Sequence, residues 1–431
     1  MRIRFRPYWI VVFALAAVAT SCLPVGTAST TTHASITASP TAEGDGANDA
    51  GTPSSIAGLA VAAIRGSSSG PGDAAKLDLQ PAVVDEQPAD TPTPEPVPQR
   101  VWLVANDEQA AALAHQVGNT VIVATGDLRA LPPNTRKTLL DASELELAEG
   151  LSEDTLWQLE VIRQGNEIPG GGLLMFDSGF DRRLVALYGH PATSALGVLG
   201  EQGPDAGVER LRSIAAGYGG DGFVVLPTFE IITTVAAASA GSDGDYSVGT
   251  LKDDIRPWIE TAAANDMYVV LDLQPGRTDF LTQAKIYEEF LRLPHVGLAL
   301  DPEWRLKPHE VHLEQVGTVD AAEINQVVEW LAGIVREEAL PQKLLIVHQF
   351  RYTMITNRQA IDTPPELAVL IQMDGQGTLR AKNATWNALT GESDADQFHW
   401  GWKNFYDEDS PMATTQQVLD LTPTPEFVSF Q

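Results

Sequence analysis

The run VGLALDPEWR, residues 296–305, decides the fold. Small and branched apolar residues stop abruptly at Asp-Pro-Glu-Trp-Arg. An unbroken apolar run of this length reads as a strand buried on both faces. Side chains alternate along a strand, so Gly297, Ala299, Asp301 and Glu303 share one face. Val296, Leu298 and Leu300 share the other. Small residues on one face and bulky ones on the other suit a barrel, with the bulky face outward under helices and the small face near the axis. Asp301 and Glu303 then end the strand facing inward, their Cα atoms about 6.6 Å apart at a rise of about 3.3 Å per residue. Like charges that close raise one pKa and leave one acid protonated near neutral pH, which suits general acid catalysis. The plainer alternative is an ion pair with Arg277 or Arg305.

The pattern extends in both directions. Runs of strand length are RRLVALYGHP (182–191), GFVVLPTFEI (222–231), MYVVLDLQPG (267–276), KLLIVHQF (343–350), LAVLIQMDG (367–375), FHWGWKNF (398–405) and EFVSFQ (426–431). Between them lie helix-like stretches such as GVERLRSIAAGY (207–218), LKDDIRPWIETAAAND (251–266), TQAKIYEEFLRL (282–293) and AAEINQVVEWLAGIVREEA (321–339). Eight strands alternating with helices over residues 182–431 predict an α/β fold, a (β/α)8 barrel of the TIM type. A doubly wound open sheet is the runner-up. It would carry a glycine-rich phosphate loop after its first strand, and LYGHPATSALG (187–197) is a poor match.

Alternation also sorts the polar groups. Tyr188 and His190 follow Ala186 on one face of the first strand, and Glu230 follows Thr228 on the second. Asp272 and Gln274 end the third, Gln372 and Asp374 the sixth, and His348 or Gln349 the fifth. With Asp301 and Glu303 on the fourth, polar residues close six consecutive strands at the end where barrel enzymes do chemistry. The competing explanation is that loops begin there and loops are polar. The candidate site is thus Glu303 as acid, Asp301 as orienting or tuning group, and Tyr188, His190, Glu230, Asp272, Gln274, His348, Gln372 and Asp374 as lining.

The chain of 431 residues carries a formal charge of −29, which repels nucleic acid and anionic membrane surfaces alike. Arg2, Arg4 and Arg6 precede a short apolar core, Trp9 to Val18, the outline of an export signal over 1–21. ATSC (19–22) resembles a bacterial lipobox, in which the cysteine is lipidated after cleavage, although Leu is more usual at position 19. Plain secretion, with Cys22 incidental, is the alternative. Cys22 is the only cysteine, so no disulfide within the chain and no cysteine-based metal site or nucleophile is available. Residues 22–99 are rich in Ser, Thr, Ala, Gly and Pro and read as a disordered spacer, with a weak helical stretch at Ile56 to Ile64. Residues 100–181 read as a small α/β module. VWLVA and NTVIVAT are strands about a helix, LSEDTLWQLEVIRQG (151–165) is a helix capped by Ser152, and GGLLMFD is a third strand.

GLALDPEW resembles the fourth-strand signature of the chitinase-like glycoside hydrolases, DG-x-D-x-D-x-E followed by Trp or Tyr. Gly297, Asp301, Glu303 and Trp304 match it, and IQMDG (371–375) is loosely similar to that family's sixth strand end. The resemblance implies that Glu303 is the general acid and that Asp301 orients a substrate acetamide. Val296 and Ala299 stand where the family has aspartates, and LDLQPG lacks its third-strand Ser-Gly-Gly pattern. A broader resemblance runs through 182–431. LYGHPATSALGVLGEQ, FEIITTVAAASAGSDGDYS, LDLQPGRTDF, LDPEWR, VDAAEINQVVEWLAGIV, HQF and QMDGQG are similar to a set of uncharacterised exported actinobacterial proteins of lipoprotein type. That resemblance implies a barrel and an envelope location and names no reaction.

Other motifs weigh less. His309 and His312 have a spacing that binds metal when both share a helical face, but no third ligand is evident and a solvated loop is expected. Asp243 and Asp245 lie in a glycine-containing loop without the remaining acids of a calcium loop. Trp386, Trp400 and Trp402 suit core packing between barrel and helices better than sugar stacking. DEDS (407–410) reads as an acidic loop. No Gly-x-Ser-x-Gly elbow is present. The expectation is an exported protein of the cell envelope, held to the membrane through a lipid on Cys22, with a glycan as substrate or ligand. No cofactor, no metal and no nucleic acid are expected. A non-catalytic glycan-binding or scaffolding protein is the first alternative. A metal-dependent hydrolase, needing His190 and His348 to meet, is the second.

Overall fold

The structure is a computed structural model that describes residues 100–113, 119–176, 181–220 and 222–431. The export signal (1–21), Cys22 and the spacer with its Ile56–Ile64 stretch lie outside the described residues. No helix among the described residues is long and apolar enough to cross a membrane.

Eight parallel strands close on themselves. In chain order they are Arg182–Gly189, Val224–Ala236, Tyr268–Leu273, Val296–Leu300, Lys343–His348, Leu367–Met373, His399–Asn404 and Phe427–Phe430. Each pairs with the next, and the eighth returns to the first with Phe427 opposite Leu184. That closing pair excludes the open sheet. All eight correspond to the apolar runs in the sequence. The Val, Leu and Ile that dominate the third to sixth strands reflect a sheet covered on both faces.

Alternation along these strands divides the core in two. Leu184, Ala186, Leu226, Val270, Ala299, Ile346, Leu370 and Phe427 fill the barrel interior. Leu187, Leu271, Leu298, Leu300, Val347, Ile371 and Val428 face outward into the layer beneath the helices. Gly297 is needed at its inward position: a Cβ there would stand 3.0 Å from the Tyr268 ring and 2.6 Å from the Leu344 carbonyl oxygen. Trp386, Trp400 and Trp402 belong to the outer layer, packed edge-on at 5.8–5.9 Å from Trp386.

Helices follow most strands: Pro204–Ala215, Lys252–Ala264, Phe280–Ile286 with Glu288–Leu291, Ala321–Glu337, Leu379–Thr390 and the short Thr415–Leu419. Between the fifth and sixth strands the described chain makes three-residue turns, Tyr352–Met354 and Arg358–Ala360, in place of a helix. The second strand overruns the barrel and folds back on Ser247–Gly249 in antiparallel pairing.

Residues 100–147 form a separate parallel sheet with Arg100–Val104 between Asn119–Val123 and Glu144–Leu147. The helix Glu153–Gln164 follows, with Ser152 accepting from the Thr155 N–H and Gly165 left-handed at its end. GGLLMFD is not the third strand of this sheet; Glu144–Leu147 is. Leu173 and Leu174 are buried in irregular chain, and Ile168, Met175 and Phe176 insert under the barrel interior as its floor. An apolar run read as a strand is here a plug, which needs hydrophobicity but no ladder.

Candidate active site

The inward alternation that lays apolar side chains in the lower barrel changes character at the C-terminal ends. Tyr188 stands opposite Glu230 across the first and second strands, and His348 opposite Gln372 across the fifth and sixth. Asp272 comes from the third strand, Lys403 from the seventh and Ser429 from the eighth. Glu230, Asp272, His348, Gln372 and Ser429 are fully buried, and Asp301, Asp374 and Lys403 nearly so.

His348 is the hub. Its Nδ1 lies 3.0 Å from Asp374 Oδ2, and since a carboxylate only accepts, Nδ1 carries the hydrogen. Its Nε2 is 3.3 Å from Glu230 Oε1 and 3.6 Å from Asp272 Oδ1, neither in hydrogen-bond alignment. Burial opposes charge on this imidazole, yet Asp272, Asp374 and Glu230 outweigh it and hold its pKa well above the ordinary value. The Tyr188 hydroxyl donates to Asp272 Oδ2 at 2.8 Å and accepts from Gln274 Nε2 at 3.3 Å. Gln274 is itself fixed by the Ala236 N–H at 3.0 Å. Gln372 donates to Ser429 Oγ at 2.6 Å.

The fourth strand needs a correction. It ends at Leu300, and Asp301 caps a three-residue turn, Pro302–Trp304, by accepting the Glu303 N–H at 3.1 Å. Pro302 cannot donate to a ladder, so the strand cannot continue through it. Asp301 and Glu303 are therefore cap and capped residue, not two positions on one strand face. Neither arginine pairs with them: Arg305 holds Glu323 at 2.7 Å, and Arg277 donates to the Glu310 carbonyl at 2.8 Å and lies over the Tyr246 ring. The two acids keep their unusual environment. Burial raises Asp301 well above the carboxylate range, with Asp272, Asp374 and Glu303 adding to it. Burial, then the charge of Asp374, raises Glu303 to about 7. Asp272 is raised to about 6, chiefly by burial, against the pull of His348.

His190 is not brought into this group. Its Nε2 lies 3.0 Å from Thr250 Oγ1 and its Nδ1 accepts from the Ala192 N–H at 3.2 Å. Burial lowers its pKa. His312 is likewise occupied by the Tyr246 carbonyl at 3.1 Å and stacks edge-on with Trp304. Among the described residues, no group of three or more His, Cys, Asp or Glu side chains is arranged to hold a metal ion. Asp243 and Asp245 accept N–H groups of their own turn, and Asp245 also accepts the Thr278 hydroxyl at 3.0 Å.

Lys403 is the residue that the sequence reading overlooked. Its Nζ sits 3.2 Å from the centre of the Tyr188 ring, inside the acidic group. The signal was in HWGWKN: once both tryptophans face outward, Gly401 and Lys403 must face inward. DEDS is also more than an acidic loop. Asp409 is buried, accepts from Lys382 Nζ at 2.5 Å, and ties the Gly377 and Phe405 N–H groups at 2.9 and 3.0 Å. It pins the loops after the sixth and seventh strands above the site.

Several buried atoms of the group have no hydrogen-bond partner: both Glu230 oxygens, Asp272 Oδ1, Asp374 Oδ1, Gln372 Oε1 and His348 Nε2. Each such atom costs about 1–3 kcal/mol, so their gathering at one place makes this group the candidate site. A cavity of about 590 Å³ lies at the opposite end, near Arg182, His399 and Glu426, where the strands begin. Among the described residues that line it, the close acid–imidazole pair is His399 with Glu426 at 2.8 Å. The chemistry-bearing groups thus lie at the end where strands finish. No protein-family model matches this chain, and no curated protein does so either.

Proposed function

We propose that the protein is a glycoside hydrolase of the cell envelope that works by general acid catalysis. The supporting observation is the convergence of Glu230, Asp272, Asp301, Glu303 and Asp374 from four strand ends around His348. Glu303, raised to about 7 and partly buried at the rim, keeps its proton on a share of the molecules at neutrality, so it is the proton donor to a glycosidic oxygen. Asp301 holds the turn that presents it. Asp272, Glu230 and Gln372 offer acceptors to sugar hydroxyls, and Asp374 keeps His348 oriented. The protein reaches its substrate by export through residues 1–21 and is retained at the membrane by a lipid on Cys22.

A second reading, a glycan-binding protein without turnover, draws support from the complete burial of Glu230, Asp272 and His348. The metal-dependent reading loses its premise, since His190 and His348 have different partners.

The test is hydrolysis of peptidoglycan, chitin oligomers and other envelope glycans by the full-length chain and by Glu303→Gln. Turnover that drops by about 100-fold or more in the variant establishes the acid. Binding without turnover by the wild type selects the second reading.

A further inference from the structure

The unpartnered atoms at the barrel mouth have a chemical bias. Both Glu230 oxygens, Asp272 Oδ1, Asp374 Oδ1 and Gln372 Oε1 are acceptors and cannot donate while the carboxylates are ionised. The sole remaining member, His348 Nε2, faces Glu230 and Asp272. The protein's own cations fill this demand only in part. Lys403 lies on the Tyr188 ring, and His348 gives one nitrogen to Asp374 and turns the other toward Glu230 and Asp272 at 3.3 and 3.6 Å, out of hydrogen-bond alignment. Arg305, Arg277, Arg358 and Lys382 are committed to Glu323, the Glu310 carbonyl, Asp394 and Asp409. Burial falls from complete at Glu230 and Asp272 to 7% exposure at Gln274 and Asp374, and Glu303 and Trp304 are only partly buried. The group therefore opens toward the rim.

A buried set of acceptors in which carboxyl groups outnumber cations is completed by a ligand that brings donors and positive charge together. Neutral sugar hydroxyls supply the first alone. An acetamido group supplies one N–H and no charge. A primary ammonium supplies three donors and the charge.

We propose that the sugar unit bound beneath Glu303 carries a free, protonated amine, held by Glu230, Asp272 and Asp374. This rests on the glycoside hydrolase reading and narrows its substrate to de-N-acetylated amino sugars. It departs from the acetamide-orienting role that the fourth-strand resemblance implies for Asp301, which here caps the turn.

The experiment compares binding of a β-1,4-linked glucosamine tetramer and its N-acetylated counterpart to the full-length chain by calorimetry at pH 6. The expected result is affinity for the amine form at least about tenfold higher, the worth of a charge-assisted hydrogen bond. Glu230→Gln should erase most of that preference. Asp374→Asn serves as a second variant, and circular dichroism melting shows whether each remains folded. Equal affinity, preference for the acetylated form, or no binding of either by folded wild type overturns the proposal. The two readings fail separately. Selective binding of the amine form without cleavage overturns the hydrolase and leaves the amine site. Cleavage of acetylated oligomers with rejection of the amine form does the reverse.

Discussion

At the scale of single residues, Tyr188 has two separable jobs. Its ring carries Lys403 at 3.2 Å and its hydroxyl donates to Asp272. Tyr188→Phe removes the second and spares the first. The hydroxyl stabilises the ionised form of Asp272, so its loss should raise further a carboxyl that burial already pushes up to about 6. The fold should lose about 1 kcal/mol. Carbon-detected NMR titration of Asp272 reads this directly, and an unmoved midpoint would show that the hydrogen bond does not tune the acid. Most of the site was legible at this scale because strand parity is a strict rule. Tyr188, Glu230, Asp272 and Gln372 could be placed from period two alone, while the fifth strand's end stayed open between His348 and Gln349. The rule failed where the strand stopped: it carried Glu303 through Pro302 as if the ladder continued, and it carried His190 past Gly189. It missed Lys403 because the tryptophans beside it were weighed for stacking and the parity they impose was not followed.

At the scale of elements, the loops above the barrel are held by buried ion pairs that composition does not advertise. Lys382, on the helix Leu379–Thr390, reaches Asp409 and the Lys403 carbonyl, at 2.5 and 2.7 Å. Asp409→Ala leaves an ammonium in the interior with its main partner gone, and two N–H groups without acceptors. A loss of about 3–5 kcal/mol is expected, measured as a lower urea midpoint. A change below about 1 kcal/mol would mean that water reaches Lys382 as readily as Asp409 did. A sequence shows that Asp409 is acidic; it does not show that Lys382, 27 positions earlier, turns under it. The same limit explains GGLLMFD. Apolar content said that it is buried, and only the barrel above it says that a floor was required where a strand was expected.

At the scale of the whole molecule, the two ends of the barrel oppose each other in their response to pH. Near the floor, Lys343 is buried and donates to the Leu293 and Val296 carbonyls at 2.6 and 2.8 Å, and burial lowers its pKa from 10.5 to about 7. Between those values the unfolded chain binds a proton that the native chain does not, so this group's contribution to stability rises with pH. Lys343→Met removes that dependence. The two carbonyls lose the lysine donor in the variant, which adds an offset independent of pH. Stability of the variant minus that of the wild type should therefore fall by a few kcal/mol from pH 7 to pH 10. At the mouth the sign reverses. Asp272 and Glu303 are raised to about 6 and about 7, so the native chain holds protons that the unfolded chain has released between about pH 4 and 7. Their contribution falls as pH rises, and Glu303→Gln should gain stability at pH 8 and none at pH 4. Asp279, Asp320 and Asp394, whose pKa values are lowered, give stability that is lost on acidification, so only differences between variant and wild type isolate either end. Chemical denaturation at pH 4, 7, 8 and 10 reads both. A difference for Lys343→Met that stays flat or grows above pH 7 would mean that the floor lysine is charged in the native state. A gain for Glu303→Gln already present at pH 4 would mean that Glu303 ionises as an ordinary carboxylate, and the proton that the proposed reaction needs would be missing from the rim.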